Sequence, residues 1–311
     1  MTAIDKRNLG GCRFAVFGKG GSGKSTAVVL LGQALRGRGY DVYILDADST
    51  NVGLHQALGI TRSPISLLDF YGGMVFSGGA VTCPVDDPTP LVGGDVLFDE
   101  LPPAYCAQNP QGIHLLVAGK IGGMGPGAGC DGPISKIARD FRIRTHEGNE
   151  VMLIDCKAGF EDSARGVVTN VDWVIQVVDP TAAAVEMAIS MNEMVQQIKA
   201  GVPPAVQHLE DASLADLATR LFREARVKGV LVVLSRICGW HVADLLRDKL
   251  SPRGIEPIGV IRDDPSIPVS WLRGEPLATT YAHIDAVELV DALEAAVSGA
   301  AVGATGASIA G

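Results

Sequence analysis

The chain alternates short apolar runs with longer stretches in which apolar residues recur at helical spacing. The short runs suit strands that are buried on both faces of a mostly parallel sheet. They are Arg13 to Phe17, Val42 to Leu45, Ile113 to Val117, Val151 to Ile154, Trp173 to Val178, Val230 to Leu234 and Pro257 to Ile261. Helical patterns lie between them, at Lys24 to Arg38, Ala182 to Ile198, Leu214 to Ala225 and Ala286 to Val297. The alternation predicts a doubly wound α/β fold.

Two stretches interrupt this alternation, a Gly/Pro-rich segment at about 60–111 and a connection at 201–213. We interpret both as insertions, because neither carries enough periodic structure for a core of its own. The pattern therefore predicts a single domain over residues 1–297. Residues 298–311 are small and featureless, and we expect them to form a disordered tail.

Composition restricts the kinds of partner. The 311 residues are 47% hydrophobic, which suffices for one large core, and the net charge of −9 gives no long-range attraction for nucleic acid or anionic lipid. A local basic patch is compatible with that charge. No apolar run approaches the roughly 20 residues of a membrane span, and the first residues lack the apolar core of a secretory signal. We therefore expect a cytoplasmic protein with reduced cysteines.

The clearest chemical motif is FGKGGSGKST at residues 17–26, which follows an apolar strand and opens a predicted helix. It matches G-x-x-x-x-G-K-[ST], in which the backbone N–H groups of a glycine-rich loop converge on phosphate oxygens. Lys24 would reach the β- and γ-phosphates and Ser25 would ligate Mg²⁺. The predicted ATP-binding residues are Gly20, Gly21, Ser22, Gly23, Lys24, Ser25 and Thr26.

Two other interpretations of this loop exist. One is a glycine-rich turn that binds nothing. The other is a dinucleotide site, because Gly18, Gly20 and Gly23 also spell G-x-G-x-x-G and Asp46 ends the second strand. A dinucleotide gains nothing from the Lys-Ser pair that follows, whereas a triphosphate with Mg²⁺ needs both residues. We therefore favour the triphosphate.

Lys19 distinguishes this loop from an ordinary P-loop. Residues 19–25, KGGSGKS, resemble the KGG-x-GK[ST] motif of the deviant Walker A ATPases. That family includes the nitrogenase iron protein, the partition and septum-site ATPases, and the carbon monoxide dehydrogenase maturation ATPase. The resemblance covers about residues 11–297 and implies a homodimer in which Lys19 acts catalytically on the partner's nucleotide. The alternative is a surface lysine beside the loop.

Two acidic motifs resemble the switch regions of the same family. ILDADSTN at 44–51 implies that Asp48 orients or activates the attacking water and that Asp46 supports the Mg²⁺ shell. LIDCKAGFE at 153–161 implies that Asp155 holds Mg²⁺ through water and that Gly159 lets its loop move. Phosphoryl transfer requires that the attacking water and the metal ion are held in position, because most of the catalysis is electrostatic and geometric. The structural alternatives are acids that cap the next turn and a polar strand end.

The segment AGKIGGMGPGAGCDGP at 118–133 looks most like the carbon monoxide dehydrogenase maturation ATPase. It is also similar to the iron protein, whose Gly-Cys loop supplies a cluster ligand. The resemblance implies that Cys130 binds a subunit-bridging nickel or zinc ion or an iron–sulfur cluster, the alternative being a small residue in a tight glycine loop. The maturation ATPase has Cys-x-Cys-Pro where this chain has Cys130-Asp131-Gly132-Pro133, so one thiol is absent. The iron protein's second cysteine falls near Asp162.

The motifs together predict a homodimeric ATPase that couples nucleotide state to metallocentre assembly in a client metalloenzyme. An iron-protein-like reductase and a partition-type switch without metal are the alternatives. The uncharged tail and the acidic helix at 286–297 argue against a membrane-binding helix. The acidic balance argues against nucleic acid. For the adenine base, Ser235-Arg236 occupies the position where many relatives carry Asn-Lys or Asn-Arg.

Overall fold

The computed structural model describes residues 8–73, 88–120, 131–159, 166–207 and 211–306. Its strands are β1 (Arg13–Gly18), β2 (Asp41–Asp46), β3 (Asp95–Leu97), β4 (Ala107–Gln108), β5 (His114–Val117), β6 (Arg142–Arg144), β7 (Glu150–Asp155), β8 (Trp173–Val178), β9 (Gly229–Ile237) and β10 (Gly259–Arg262). Its α-helices are α1 (Lys24–Gly37), α2 (Leu54–Ala57), α3 (Leu67–Phe70), α4 (Gly132–Asp140), α5 (Ala182–Lys199), α6 (Ala212–Arg223), α7 (Trp240–Leu250), α8 (Ser266–Arg273) and α9 (Ala282–Gly306). Short 3₁₀ turns lie at Phe98–Glu100, Pro103–Tyr105, Val167–Asn170 and Ser251–Arg253.

Among the described residues, the main sheet contains eight strands in the order β10-β9-β8-β1-β7-β2-β5-β4. Neighbouring strands run parallel, except that β4 is antiparallel to β5 at the edge. Strands β3 and β6 form a separate parallel pair. This confirms the mostly parallel, doubly wound α/β fold that the apolar pattern predicts.

Apolar layers on both faces of the sheet explain the continuous apolar runs. Along β1, Phe14 and Val16 pack into one cluster with residues of α1 and α9. Ala15 and Phe17 pack into another with residues of α4 and α5. All four side chains are fully buried. Because successive strand residues point to opposite faces, a strand covered on both sides is apolar at nearly every position.

The short elements in the first predicted insertion differ from the sequence expectation of an irregular segment. Strands β3 and β4 lie there, and Leu67, Leu91 and Leu101 join the core beneath α4. Strands of two or three residues are too short to show a period, which is why the pattern does not reveal them. Residues 74–87 of this segment, and residues 208–210 of the second predicted insertion, lie outside the described residues.

The C-terminal helix is longer than the sequence pattern suggests. Helix α9 begins at Ala282 and ends at Gly306, whereas we expected a helix over 286–297 followed by a tail without regular structure. Residues 298–306 contain three alanines, which favour a helix, and three glycines, which disfavour it, so local propensity does not predict the extension. Extending an existing helix avoids the cost of nucleation. Residues 307–311 lie outside the described residues.

A buried arginine fixes α4 against the sheet. Arg13 is 1% exposed, and its guanidinium donates to the carbonyl oxygens of Arg139 at 3.0 Å and Ala138 at 2.9 Å. These are carbonyls of the last turn of α4, which lack partners within the helix. Arg13 therefore caps α4 and anchors it at the amino end of β1.

Candidate functional site

The loop between β1 and α1 packs too tightly for side chains at two of its glycines. A Cβ atom added at Gly18 would lie 2.6 Å from the backbone oxygen of Val177. Gly23 caps α1 with a φ of 92°, and a Cβ atom there would lie 2.9 Å from Ser235 Oγ. Left-handed backbone and close approach both favour glycine. The fold therefore requires two glycines of the phosphate-binding motif.

The two motif lysines lie at opposite ends of this loop. Lys24 is the first residue of α1 and is only 7% exposed. Its Nζ donates to the carbonyl oxygen of Lys19 at 3.3 Å, so its side chain folds back over the loop. Lys19 itself is partly exposed. A buried ammonium at a helix N-terminus gives this loop a strong preference for an anion.

Asp46 and Asp155 lie side by side, because they are paired in the register of β2 and β7. Asp46 is 3% exposed and Asp155 is 0% exposed. Burial and the neighbouring Asp46 carboxylate raise the pKa of Asp155 to about 7, while Ser25 and Lys24 act in the opposite direction. Burial also raises the pKa of Asp46 to about 6, against the attraction of Lys120. Two buried acids this close favour a bound cation.

The groups at this point fit Mg²⁺. Both carboxylate oxygens of Asp155 and Oδ1 of Asp46 are buried without a hydrogen-bond partner among the described residues. The Ser25 hydroxyl accepts a hydrogen bond from Asn51 Nδ2 at 3.0 Å. Mg²⁺ prefers oxygen ligands and usually combines one or two carboxylates with waters and phosphate. The structure thus brings together the three residues to which the sequence analysis assigned Mg²⁺.

Asp48 lines an open cleft of about 450 Å³ that also contains Lys24 and Ser25. Its Oδ1 accepts hydrogen bonds from the backbone N of Thr50 at 3.0 Å and from Thr50 Oγ1 at 2.6 Å. The acid therefore caps the next turn, as the structural alternative expected, and still lies in the cleft. The rest of the lining is formed by Gly20, Gly21, Gly23, Thr26, Thr50, Asn51, Ala158 and Trp271.

A second pocket of about 270 Å³ adjoins this cleft and shares Gly21, Gly23, Thr26 and Trp271 with it. Trp271 Nε1 donates to Thr26 Oγ1 at 3.0 Å, so the indole lies between the two spaces. Apolar side chains from β10 and α8 line the second pocket together with polar groups at its rim. Such a lining suits a flat, largely apolar ring with a few hydrogen-bonding atoms.

Arg236 has an unusual backbone conformation on the wall of the second pocket. Its φ of 58° is left-handed, which is uncommon for residues other than glycine. Ser235 pairs with Ile261 and Ile237 pairs with Arg262, so Arg236 is the extra residue of a β-bulge. Its Nη1 donates to the carbonyl oxygen of Gly21 at 3.1 Å. The bulge therefore directs a cation toward the phosphate-binding loop.

Sequence reasoning assigned no role to two residues of the site. Lys120 Nζ lies 2.7 Å from Asp46 Oδ2, and Trp271 separates the two pockets. Lys120 follows β5, the neighbour of β2, and the carboxyl ends of parallel strands meet at one edge. That rule was a usable signal for Lys120. Trp271 lies on α8, which no clear period predicts.

Several predicted positions lie outside the described residues, namely Cys130, Phe160, Glu161 and Asp162. Asp131 is described and forms an ion pair with Lys157, which links the start of α4 to the loop after β7. Gly159 in that loop has a φ of 98°. In the described part of the chain, no three His, Cys, Asp or Glu side chains form a group that could hold a metal ion. Magnesium needs no such group, because phosphate and water supply ligands.

Across the described ranges, no helix combines the length and apolar character of a membrane span.

The fold and the loop define a nucleotide-binding protein of the P-loop class. The chain belongs to the family described as the CobQ/CobB/MinD/ParA nucleotide-binding domain, whose model matches residues 14–277. This agrees with the resemblance of the phosphate-binding loop to the deviant Walker A ATPases.

Curated relatives narrow the relationship within the family. An uncharacterized ATP-binding protein of Methanocaldococcus jannaschii is 29% identical over 201 residues, which cover 64% of this chain and 79% of the relative. The carbon monoxide dehydrogenase accessory protein CooC of Rhodospirillum rubrum is 29% identical over 187 residues, which cover 60% of this chain and 70% of the relative. A relationship to the carbon monoxide dehydrogenase accessory protein is therefore supported.

Solved structures support the fold. The cell division ATPase MinD of Pyrococcus furiosus aligns with a TM-score of 0.54 at 19% identity, covering 92% of this chain and 99% of its own. MinD of Pyrococcus horikoshii, complexed with Mg-ADP, aligns with a TM-score of 0.55 at 17% identity, covering 91% of this chain and 95% of its own.

Proposed function

We propose that the protein hydrolyses ATP with Mg²⁺ and acts as a homodimeric switch. The observation that carries this proposal is the convergence of Lys24, Ser25 and three acids at one edge of the sheet. The acids are Asp46, Asp48 and Asp155, and each follows or ends a parallel strand. Phosphoryl transfer needs this combination of a phosphate-binding cation, a metal site and a water-orienting group.

Each residue has a distinct role in the proposed reaction. Lys24 binds the β- and γ-phosphate oxygens, and Ser25 with the buried acids holds Mg²⁺, which would offset charge on the phosphates. Asp48 orients the attacking water. Because Thr50 already holds one oxygen of the Asp48 carboxylate, that group needs little rearrangement before the reaction.

The second pocket is the proposed site of the adenine base. It adjoins the phosphate cleft at Thr26 and Trp271. A nucleotide with its phosphates in the cleft could therefore place its base in this pocket. Ser235 stands where many relatives carry asparagine, and it is 3% exposed. Its hydroxyl is a smaller hydrogen-bonding group than an amide, so base recognition in this chain relies more on ring contacts.

The proposed dimer rests on Lys19. This lysine is partly exposed at the rim of the loop, and its backbone carbonyl accepts a hydrogen bond from the ammonium of Lys24. In the proposed dimer the Lys19 ammonium contacts the nucleotide of the partner subunit. Dimer closure would then depend on the triphosphate, so the ATP-bound protein would be a dimer and the protein without ATP a monomer.

The ATPase proposal is tested with Lys24→Ala and Asp48→Asn. Losing the lysine removes a charge-assisted phosphate contact and should cost about 2–4 kcal/mol of binding or transition-state stabilisation. Asp48→Asn keeps the shape, so single-turnover hydrolysis should fall while ATP is still bound. Normal turnover in both variants would contradict the proposal.

Sedimentation tests the dimer. With Mg-ATP, the slow Asp48→Asn protein should accumulate as a dimer, and adding Lys19→Ala should return it to monomers. A protein that stays monomeric in every nucleotide state would exclude this mechanism, whatever its rate of hydrolysis.

The proposed biological role is metallocentre assembly in a client metalloenzyme. The match to the carbon monoxide dehydrogenase accessory protein and the Gly-Lys-Ile and Gly-Cys residues in 118–130 support it. In this role Cys130 from each subunit ligates nickel, zinc or an iron–sulfur cluster as cargo. Two thiolates fall short of four ligands, so a client or a further side chain completes the shell. Reduced thiols fit a cytoplasmic protein.

Metal analysis of anaerobically purified protein, with and without ATP, tests this role. Cys130→Ser should abolish bound metal and leave ATP hydrolysis intact. Cys238→Ser, at an exposed cysteine remote in sequence, should keep both the bound metal and the hydrolysis. If the wild type takes up neither metal nor cluster, a partition-type switch replaces the proposal. Stimulation of hydrolysis by DNA or by liposomes would then identify the surface that the switch binds.

A further inference from the structure

Lys120 contacts both acids of the Asp46-Ala47-Asp48 run. Its Nζ lies 2.7 Å from Asp46 Oδ2 and donates to the backbone carbonyl oxygen of Asp48 at 2.6 Å. The Asp46 side chain is 4% exposed and the Lys120 side chain is 27% exposed. One ammonium therefore holds a buried carboxylate and the main chain of the next acid.

The two buried acids are each influenced by a different lysine. Lys24, from the phosphate-binding loop, acts on Asp155, and Lys120, from the end of β5, acts on Asp46. A buried carboxylate beside another one is costly unless a cation compensates it. An ATP-bound Lys24 would contact phosphate, so Lys120 is the cation that remains for the acids on the protein side.

The contact at Asp46 also determines which oxygen is left for a metal. Lys120 occupies Oδ2, while Oδ1 is buried without a hydrogen-bond partner among the described residues. An ion pair on one oxygen fixes the rotation of the whole carboxyl group. Groups behind a ligand that fix its orientation in this way commonly control metal affinity and rate.

The contact at Asp48 acts on the main chain. The Asp48 carboxylate is oriented by Thr50, and its carbonyl is oriented by Lys120, so both ends of the residue are held. The position of the carboxylate relative to the phosphate-binding loop then depends on Lys120. Errors of about 1 Å in such positions are enough to slow a reaction strongly.

We infer that Lys120 is a positioning residue for ATP hydrolysis, which holds the Asp46 side chain toward the cation site and the Asp48 backbone toward the attacking water. In this role Lys120 acts through these two acids. The inference rests on the proposed ATPase function.

The test compares Lys120→Met, Lys120→Gln and Lys120→Arg. Methionine keeps an unbranched apolar stem, and glutamine keeps a hydrogen-bond donor, but neither carries charge. We expect kcat to fall by about 10-fold to 100-fold in both, with a raised Mg²⁺ requirement and a KM for ATP that changes much less. Arginine keeps the charge and should restore much of the rate.

Lys199→Ala is the matched control. Lys199 Nζ also donates to a backbone carbonyl, that of Lys228 at 2.8 Å, but it lies on α5 and contacts no acid of the site. This variant should keep the wild-type kcat and Mg²⁺ requirement. Melting temperatures of all variants establish whether each one is folded.

Three outcomes would overturn the inference. Methionine and glutamine variants with kcat within twofold of wild type would do so, as would an arginine variant that is no better than methionine. An equal loss in kcat and in nucleotide affinity, with a lowered melting temperature, would indicate a structural role instead. Wild-type protein without ATPase activity would contradict the proposed function itself, whereas an active wild type beside an equally active Lys120→Met protein contradicts only the inference.

Discussion

The variant Asp155→Asn separates the effect of a buried carboxylate on folding stability from its proposed role in magnesium binding. The residue is fully buried, and burial together with Asp46 raises its pKa to about 7. An acid with a raised pKa binds more protons in the folded than in the unfolded state between its two pKa values. The free energy of unfolding of the protein without Mg²⁺ should therefore fall as the pH rises from about 4 to about 7.

The size of the effect follows from the pKa shift. A rise of about 3 units corresponds to about 4 kcal/mol of lost stability at pH 7.5, at roughly 1.4 kcal/mol per unit. The amide introduced by Asp155→Asn cannot ionise, but it lacks a partner in the same position, which costs about 1–3 kcal/mol. The variant should therefore be about 1–3 kcal/mol more stable than the wild type at pH 7.5.

Urea unfolding in EDTA at pH 5 and pH 7.5 measures the stability cost of the buried carboxylate. Unfolding with Mg-ADP measures what the carboxylate contributes to magnesium binding. Mg-ADP should stabilise the wild type more than it stabilises Asp155→Asn, because the variant lacks one of the two carboxylates proposed to hold magnesium. Asp216→Asn, at an exposed aspartate of α6, should match the wild type throughout. An Asp155→Asn protein that is less stable at pH 7.5 and keeps the full pH dependence would refute the reasoning.

Three further predictions concern other parts of the site. Gly21→Ala should cost about 1 kcal/mol of nucleotide binding from its φ of 81°, and Gly23→Ala should cost more because its Cβ also meets a side chain at 2.9 Å; equal losses in the two titrations would contradict this. Trp271 emission should change when ATP binds, and Trp271→Phe should remove that signal while Trp240→Phe, at a 63% exposed ring, keeps it. For Asp264, burial raises the pKa but hydrogen bonds from Ser266 and the start of α9 outweigh it and lower the pKa. Asp264→Asn should therefore lose about 1–3 kcal/mol of unfolding free energy above pH 4, a difference that shrinks as the pH falls further; a difference independent of pH in acid melts would count against it.

The order and type of the main elements were readable from the sequence, because burial on both faces leaves a direct mark on composition. The runs around Phe14, Ile44, Leu153 and Ile175 are apolar at nearly every position, and each became a strand within one or two residues of its predicted ends. The phosphate-binding loop was readable for a similar reason. Its glycines are required by local backbone geometry, and its lysine and serine follow at fixed spacing.

Tertiary structure decided which distant residues act together. Asp46 and Asp155 become neighbours because β7 lies between β1 and β2 in the sheet, an order that no local period encodes. Lys120 reaches Asp46 because β5 pairs with β2, and Trp271 reaches the cleft through a hydrogen bond to Thr26. Sequence patterns record what each segment needs from its own surroundings, namely burial, turns and caps. Contacts between segments depend on strand order and packing, and these are set by the free energy of the whole core.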